Sequence, residues 1–187
     1  MQLSHTPGRM SASFDEPNLV GSAGLVPAMM LAGRIGLVQV ADELLTVPGA
    51  KGCAGTKLTS VLAGMLAGAD SIDDLDVVRS GGMKTLFGEV YAPSTIGTLL
   101  REFTFGHARQ LESVLSEHVG ALCERVDLLP GADGRVFIDI DSLLRPVYGQ
   151  AKQGASYGHT KIAGKQILRK GLSPLVTTIS TEHCAPV

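Results

Sequence analysis

Two aspartates, Asp139 and Asp141, stand two residues apart in the apolar run 135–142. Side chains alternate between the two faces of a strand, so both carboxylates would lie on one face and the apolar residues of the run on the other. Those apolar residues are Val136, Ile138 and Ile140. Carboxylates on a rigid strand suit a divalent cation, because hard cations prefer oxygen ligands. The alternative is a strand whose solvent face is simply acidic.

The distribution of charge indicates a second kind of chemistry. Residues 1–141 contain 17 Asp and Glu against 10 Lys and Arg, whereas only Glu182 is acidic after residue 141. The basic residues after residue 141 are Arg145, Lys152, Lys161, Lys165, Arg169 and Lys170. All of these except Arg145 could contact the phosphates of a polyanion, which would make binding salt-dependent. The alternative is a solvated, lysine-rich hairpin tip.

Composition favours a globular chain of modest size. The 187 residues are 44% hydrophobic and 18% charged, enough for one core or for one small domain plus part of another. The three cysteines are far apart and lack metal-ligand spacing, which is typical of a reduced, cytoplasmic protein. No apolar signal segment opens the sequence. Glycines, Pro27 and Arg34 interrupt the apolar stretch 19–40, which favours buried helices over a membrane span.

The elements that would position these residues fall into three parts. Residues 1–18 are predicted to be a flexible arm, and 19–129 a helical, possibly DNA-binding domain. Residues 135–187 are predicted to begin a second, sheet-containing domain, after a turn-rich boundary at 128–134. The predicted helices cover 25–45 with a break at 33–36, then 56–67 and 71–79. A short helix near 84–87, a helix capped by Ser94 and a long helix at 107–126 follow.

Strand patterns appear only after the boundary. Residues 136–140 and 175–181 have the alternation and β-branched content of strands, and the stretch 149–171 between them is rich in Gly, Lys and Gln. The fold class predicted is therefore α+β, a helical bundle followed by a small sheet. Because two or three uncovered strands rarely stand alone, we expect this sheet to be the start of a larger domain that the chain leaves incomplete.

Several short segments together resemble a known family. They are Asp139-Ile140-Asp141-Ser142, Val147-Tyr148-Gly149-Gln150, Lys152-Gln153-Gly154-Ala155, Tyr157-Gly158 and Gly171-Leu172-Ser173-Pro174-Leu175. This combination resembles the opening of the catalytic domain of the DDE transposases of bacterial insertion sequences, transposase DDE domain group 1. The resemblance implies an RNase H-like fold whose first strand carries the first acid of an Asp-Asp-Glu triad and is followed by a hairpin and a third strand.

The resemblance also implies roles for individual residues. Asp141, directly before Ser142, matches the first catalytic aspartate and metal ligand, with Asp139 as the alternative or a supporting acid. Leu143 stands where the family commonly has Thr. The implied cofactor is Mg²⁺, which such sites use in phosphodiester displacement. The family's second aspartate and its glutamate come farther downstream, so we expect an N-terminal fragment that is inactive alone.

Two partners follow from the same resemblance. The first is DNA, as transposon ends, and the second is another copy of the chain or a full-length transposase. The alternative function is a non-catalytic, DNA-end-binding or dimerising regulator of transposition. Residues 71–79 and 94–103 could form a helix-turn-helix-like unit with Ser94, Thr95, Thr98 and Arg101 exposed, although a plain helical bundle explains the same pattern.

Overall fold

A computed structural model describes residues 16–50, 52–88, 90–127, 129, 134–149 and 152–182. The predicted arm at 1–18 lies almost wholly outside these residues, as do most of the predicted boundary 128–134 and the last five residues of the chain. In the described part, helices precede residue 124 and strands follow residue 136. The α+β class predicted from the sequence is confirmed.

The helical part has six α-helices and two 3₁₀ helices among its described residues. The α-helices are α1 Leu25–Arg34, α2 Leu37–Leu44, α3 Ala54–Leu66, α4 Met83–Phe87, α5 Pro93–Glu102 and α6 Phe105–Cys123, and the 3₁₀ helices are Pro48–Ala50 and Asp73–Val78. The predicted break between the first two helices is confirmed. It lies at Gly36, whose φ of +80° is the left-handed conformation that glycine adopts without a steric penalty.

Two adjoining cores hold the helices together. The larger contains buried residues of α1, α2, α3, α5 and α6, and the smaller joins α1 and α3 to the segment around Val78 and Met83. Where α2 meets α3, the missing side chain of Gly55 lets the two backbones approach closely. At this crossing the Gly55 N–H donates to Asp42 Oδ1 at 2.8 Å. The close approach leaves no room for a side chain at Gly55, where a Cβ would lie 2.7 Å from Val38 Cα.

Two predicted helix starts were wrong in detail. Ser71 does not begin an α-helix. Its N–H and hydroxyl donate to Asp74 Oδ2 at 2.8 and 2.7 Å, and a 3₁₀ helix, Asp73–Val78, follows. The hydroxyl bond from Ser71 is the main cause that holds the pKa of Asp74 below its ordinary value. Ser94 is not a cap either, because α5 begins one residue earlier at Pro93, where the missing N–H costs nothing.

The longest helix begins two residues before its predicted start. The Thr104 N–H donates to His107 Nδ1 at 3.2 Å, a contact that satisfies the backbone in front of the first turn of α6. A histidine in that role has no clear signature in a single sequence, since glutamate and glutamine are the usual partners. The helix then ends at Cys123 rather than at the predicted Val126.

In the described part of the chain, five strands form two small antiparallel sheets. They are β1 Phe137–Ser142, β2 Arg145–Pro146, β3 Ser156–Ile162, β4 Lys165–Leu172 and β5 Leu175–Ser180. β1 pairs with β5, and β4 lies between β2 and β3. Ala163 and Gly164 join β3 to β4 with φ values of +48° and +77°, as in a type I′ hairpin turn. The two predicted strands and the predicted hairpin are confirmed.

The apolar face of β1 is exposed. Ile138 and Ile140 lie on the face opposite the aspartates, as predicted, and pair across the sheet with Ile179 and Thr177. Their side chains are nevertheless 59% and 63% exposed, because no other described element covers this two-stranded sheet. The sequence pattern identifies an apolar face but not the element that would bury it.

In the described part of the chain, no single helix has the length and apolarity needed to cross a membrane. Helices α1 and α2 reach those limits only when taken together, and their axes differ by 57°. Leu25, Ala32, Leu37 and Ala41 of this pair are buried against the rest of the helical part.

His118 makes the stability of the helical part sensitive to pH. Its Nδ1 is buried in α6 without a hydrogen-bond partner among the described residues, and burial lowers its pKa below 6.5. The unfolded chain therefore binds the proton more readily, so the free energy of unfolding should fall as the pH drops through about 6.5.

We expect the urea midpoint of the chain to be lower at pH 5.5 than at pH 7.5, and His118→Gln to reduce this difference. His159→Gln, at an exposed position of β3, is the control and should keep the wild-type difference. An unchanged difference in His118→Gln would contradict the assignment.

Candidate metal and nucleic-acid site

Asp139 and Asp141 lie side by side on one face of β1. They pair across the sheet with Thr178 and Val176 of β5, and both carboxylates are exposed. Asp141 Oδ1 accepts a hydrogen bond from the Ser142 N–H at 2.8 Å. Residues two apart in a strand have Cα atoms about 7 Å apart, so the two carboxylates can reach one hydrated cation or two neighbouring ones.

Glu182 lies at the other end of this sheet. Its Oε1 is 3.9 Å from Arg135 Nη1, and the two side chains form an exposed ion pair. Arg135 lies two residues before the start of β1. Arg135 is six residues before Asp141, a separation of about 20 Å along an extended chain. Glu182 therefore does not complete a site with the two aspartates. Within the described residues, no group of three or more His, Cys, Asp or Glu side chains is arranged to hold a metal ion.

The chemistry of the aspartate pair can be compared with the ligands that Mg²⁺ usually has in proteins. Mg²⁺ usually keeps several waters and is held by one or two carboxylates together with substrate phosphates. Two exposed aspartates on a paired strand supply that set of protein ligands, whereas a structural zinc site would need four. Asp141, whose carboxylate is oriented by the Ser142 N–H, and Asp139 are therefore the residues that would hold the cation.

The predicted phosphate-binding residues do not form a single patch. Register places Lys161 and Lys170 on one face of the β3–β4 hairpin, and Lys165 and Arg169 on the other. Lys152 lies in the loop that precedes β3. The separation of these residues onto two faces depends on the register between β3 and β4. A single stretch of sequence does not specify that register.

Leu144 covers part of one hairpin face. A Cβ at Gly171 would lie 2.9 Å from Leu144 Cδ1, and one at Gly158 would lie 3.3 Å from the same atom. Gly158 and Gly171 share the face of Arg169, so their missing side chains make the space that Leu144 fills. On the other face, Tyr157 and Lys161 are exposed.

Arg145 is a basic residue outside the predicted phosphate-binding set. It pairs with Leu172 in β2–β4, which places it on the same hairpin face as Lys170 and Lys161. β2 contains only Arg145 and Pro146, too short for a strand signature, so no pattern in the sequence could have found it.

The helical part contacts the hairpin region at the start of α6, where the Phe105 N–H donates to Gln153 Oε1 at 3.3 Å. In α5, Thr98 and Arg101 are exposed and hydrogen-bond to each other at 3.2 Å. Helix α4 lies between the 3₁₀ helix and α5, so the two segments proposed as a helix-turn-helix-like unit are not joined by a tight turn. DNA binding by α5 stays a prediction.

The structure thus places two exposed aspartates on one face of β1 and distributes basic side chains over both faces of the hairpin. No family model, no curated protein and no solved structure matches this chain.

Proposed function

We propose that this chain belongs to a DDE-type transposase of a bacterial insertion sequence and acts on the element's DNA ends in the cytoplasm. The observation that carries the proposal is the pair Asp139 and Asp141 on one face of β1, followed by the β3–β4 hairpin and by β5, which returns beside β1. This order is the one that the resemblance implies: a first strand with the first acid, a hairpin and a third strand. An RNase H-like fold for the sheet is part of the proposal.

The chain's own residues would have distinct tasks in such a site. Asp141 would hold the cation, and Asp139 would supply a second oxygen ligand from the same face. Mg²⁺ bound there would stabilise the attacking and leaving oxygens of a phosphodiester displacement. The described residues bring no third carboxylate to the pair, so full catalysis requires an acid from elsewhere.

Asp141→Asn tests this proposal. We expect it to lower the affinity of the chain for Mn²⁺, measured as free ion by electron paramagnetic resonance, by about tenfold or more, since a ligand itself is lost. The same change in the transposase of the intact mobile element should abolish transposition. Glu182→Gln is the matched control, because this carboxylate lies just beyond the end of β5 and pairs with Arg135.

Wild-type transposition in the Asp141→Asn element would rule out the catalytic role. Equal loss of Mn²⁺ affinity in Glu182→Gln would show that the ion binds to surface charge rather than to the aspartate pair.

Because the described residues bring no third carboxylate to the aspartate pair, a second candidate is a regulator that binds DNA ends and does not cleave them. Such a protein would bind the terminal repeats of its element and suppress transposition when produced beside an intact transposase. A gel-shift titration with terminal-repeat duplex against a scrambled duplex separates the candidates. Tight, sequence-specific binding together with suppression would favour the regulator, whereas equal binding of both duplexes would remove it.

A further inference from the structure

The β3–β4 hairpin has one face on which an aromatic ring stands among basic residues. This tyrosine face is defined by the residues that register places together: Arg145, Tyr157, His159, Lys161, Leu168 and Lys170. Tyr157 is 70% exposed and pairs directly with Lys170, while Leu168, opposite His159, is 56% exposed. Directly opposed side chains have Cβ atoms about 5 Å apart, so Lys170 lies beside the tyrosine ring.

The charged residues of the surrounding segment indicate what charge a ligand for this face should have. Residues 142–181 contain six Lys and Arg and no Asp or Glu. Three of these cations, at 145, 161 and 170, belong to the tyrosine face. This segment therefore carries a net positive charge, so the ligand that complements the face is a polyanion.

The aromatic ring narrows the class of polyanion. A ring exposed between cations offers a stacking surface to a base while the cations hold the neighbouring phosphates. Bases in a duplex are already stacked on one another, so only an unpaired strand can use such a surface. The apolar side chain of Leu168 extends the surface beside the ring. The opposite hairpin face offers no exposed ring within β3 and β4, and Leu144 occupies part of it.

We propose that the tyrosine face binds single-stranded DNA, with Tyr157 stacking on a base and with Arg145, Lys161 and Lys170 holding the adjoining phosphates. This inference rests on the proposed function, since it names the form of DNA that a strand-processing chain would hold. It assigns to the hairpin a task separate from metal binding by the aspartates of β1.

The test measures fluorescence anisotropy of a labelled 20-nucleotide DNA strand, alone and annealed to its complement, with the full chain at low salt. The wild-type chain should bind the single strand more tightly than the duplex. Tyr157→Ala should weaken single-strand binding about fivefold or more, and Tyr157→Phe should keep it because the ring remains. Tyr148→Ala, which removes a tyrosine that is 83% exposed but lies outside the hairpin, should leave it unchanged.

A second pair of variants separates the two faces. Lys161→Gln and Lys165→Gln each remove one charge close to the same turn, but from opposite faces. The inference requires Lys161→Gln to weaken single-strand binding more than Lys165→Gln. Equal effects of the two, wild-type binding by Tyr157→Ala, or equal affinity for duplex and single strand would each overturn it.

The test of single-strand binding can fail or succeed independently of the test of metal binding. If Asp141→Asn left Mn²⁺ binding and transposition intact, the proposed function would fail while the anisotropy results stood. If Tyr157→Ala bound the single strand as the wild type does, the stacking face would fail and the metal titration would be unaffected.

Discussion

Replacing Gly55 by alanine is expected to lower the free energy of unfolding by about 3 kcal/mol or more. The added Cβ would lie 2.7 Å from Val38 Cα and would also overlap the Val38 carbonyl oxygen. Both atoms belong to the backbone of α2, so no side-chain rotation can relieve the clash, and α2 must move away from α3. That movement would also break the 2.8 Å hydrogen bond from Gly55 N–H to Asp42. Urea denaturation followed by circular dichroism at 222 nm measures the effect.

Gly120→Ala is the matched control for this change. Gly120 lies within α6, and no atom stands within 4 Å of the Cβ that alanine would add there. Alanine restricts the unfolded chain and favours the helix, so this variant should gain about 0.5–1 kcal/mol. A urea midpoint for Gly55→Ala that equals the wild-type value would show that α2 and α3 do not cross as described.

Replacing Met83 by alanine should cost about 2–5 kcal/mol, the range for truncating a large buried side chain to alanine. Met83 is fully buried and packs in the smaller core with Leu25, Ala63 and Val78. These residues come from three separate segments. The cavity that the substitution would leave therefore cannot close by a shift of one side chain. The same urea experiment reports the loss.

Met65→Ala removes the same atoms from α3, where the methionine is 65% exposed, and should change stability by less than about 0.5 kcal/mol. Similar losses in the two methionine variants would contradict the assignment of Met83 to the core.

The features that follow from local sequence were predictable. Apolar spacing located α1, α2 and α3, and β-branched alternation located β1 and β5, because each pattern reflects the period of its own element. The start of α5 was missed because Pro93 takes the first helical position, which made Ser94 a misleading cap signal. The 3₁₀ geometry after Ser71 was missed because Ser71 and Asp74 form the same contacts at either kind of helix start.

The candidate site was predictable only within one strand. The shared face of Asp139 and Asp141 depends on alternation alone, and the structure agrees with it. The faces of Lys161 and Lys165 depend on register between β3 and β4, and the position of Arg145 depends on a two-residue strand. Such relations join residues that are distant in sequence, and no single segment encodes them.

The Ala163–Gly164 turn has a consequence for the pairing of β1 with β5. Residues 143–174 separate β1 from β5, and closing a loop of that length costs conformational entropy. The β3–β4 hairpin closes over two residues and draws Arg145 beside Leu172, while the Leu143 N–H donates to the Pro174 carbonyl at 3.0 Å. A closed hairpin shortens the flexible loop between β1 and β5, so a turn remote from Asp139 and Asp141 lowers the entropy cost of pairing their strand with β5.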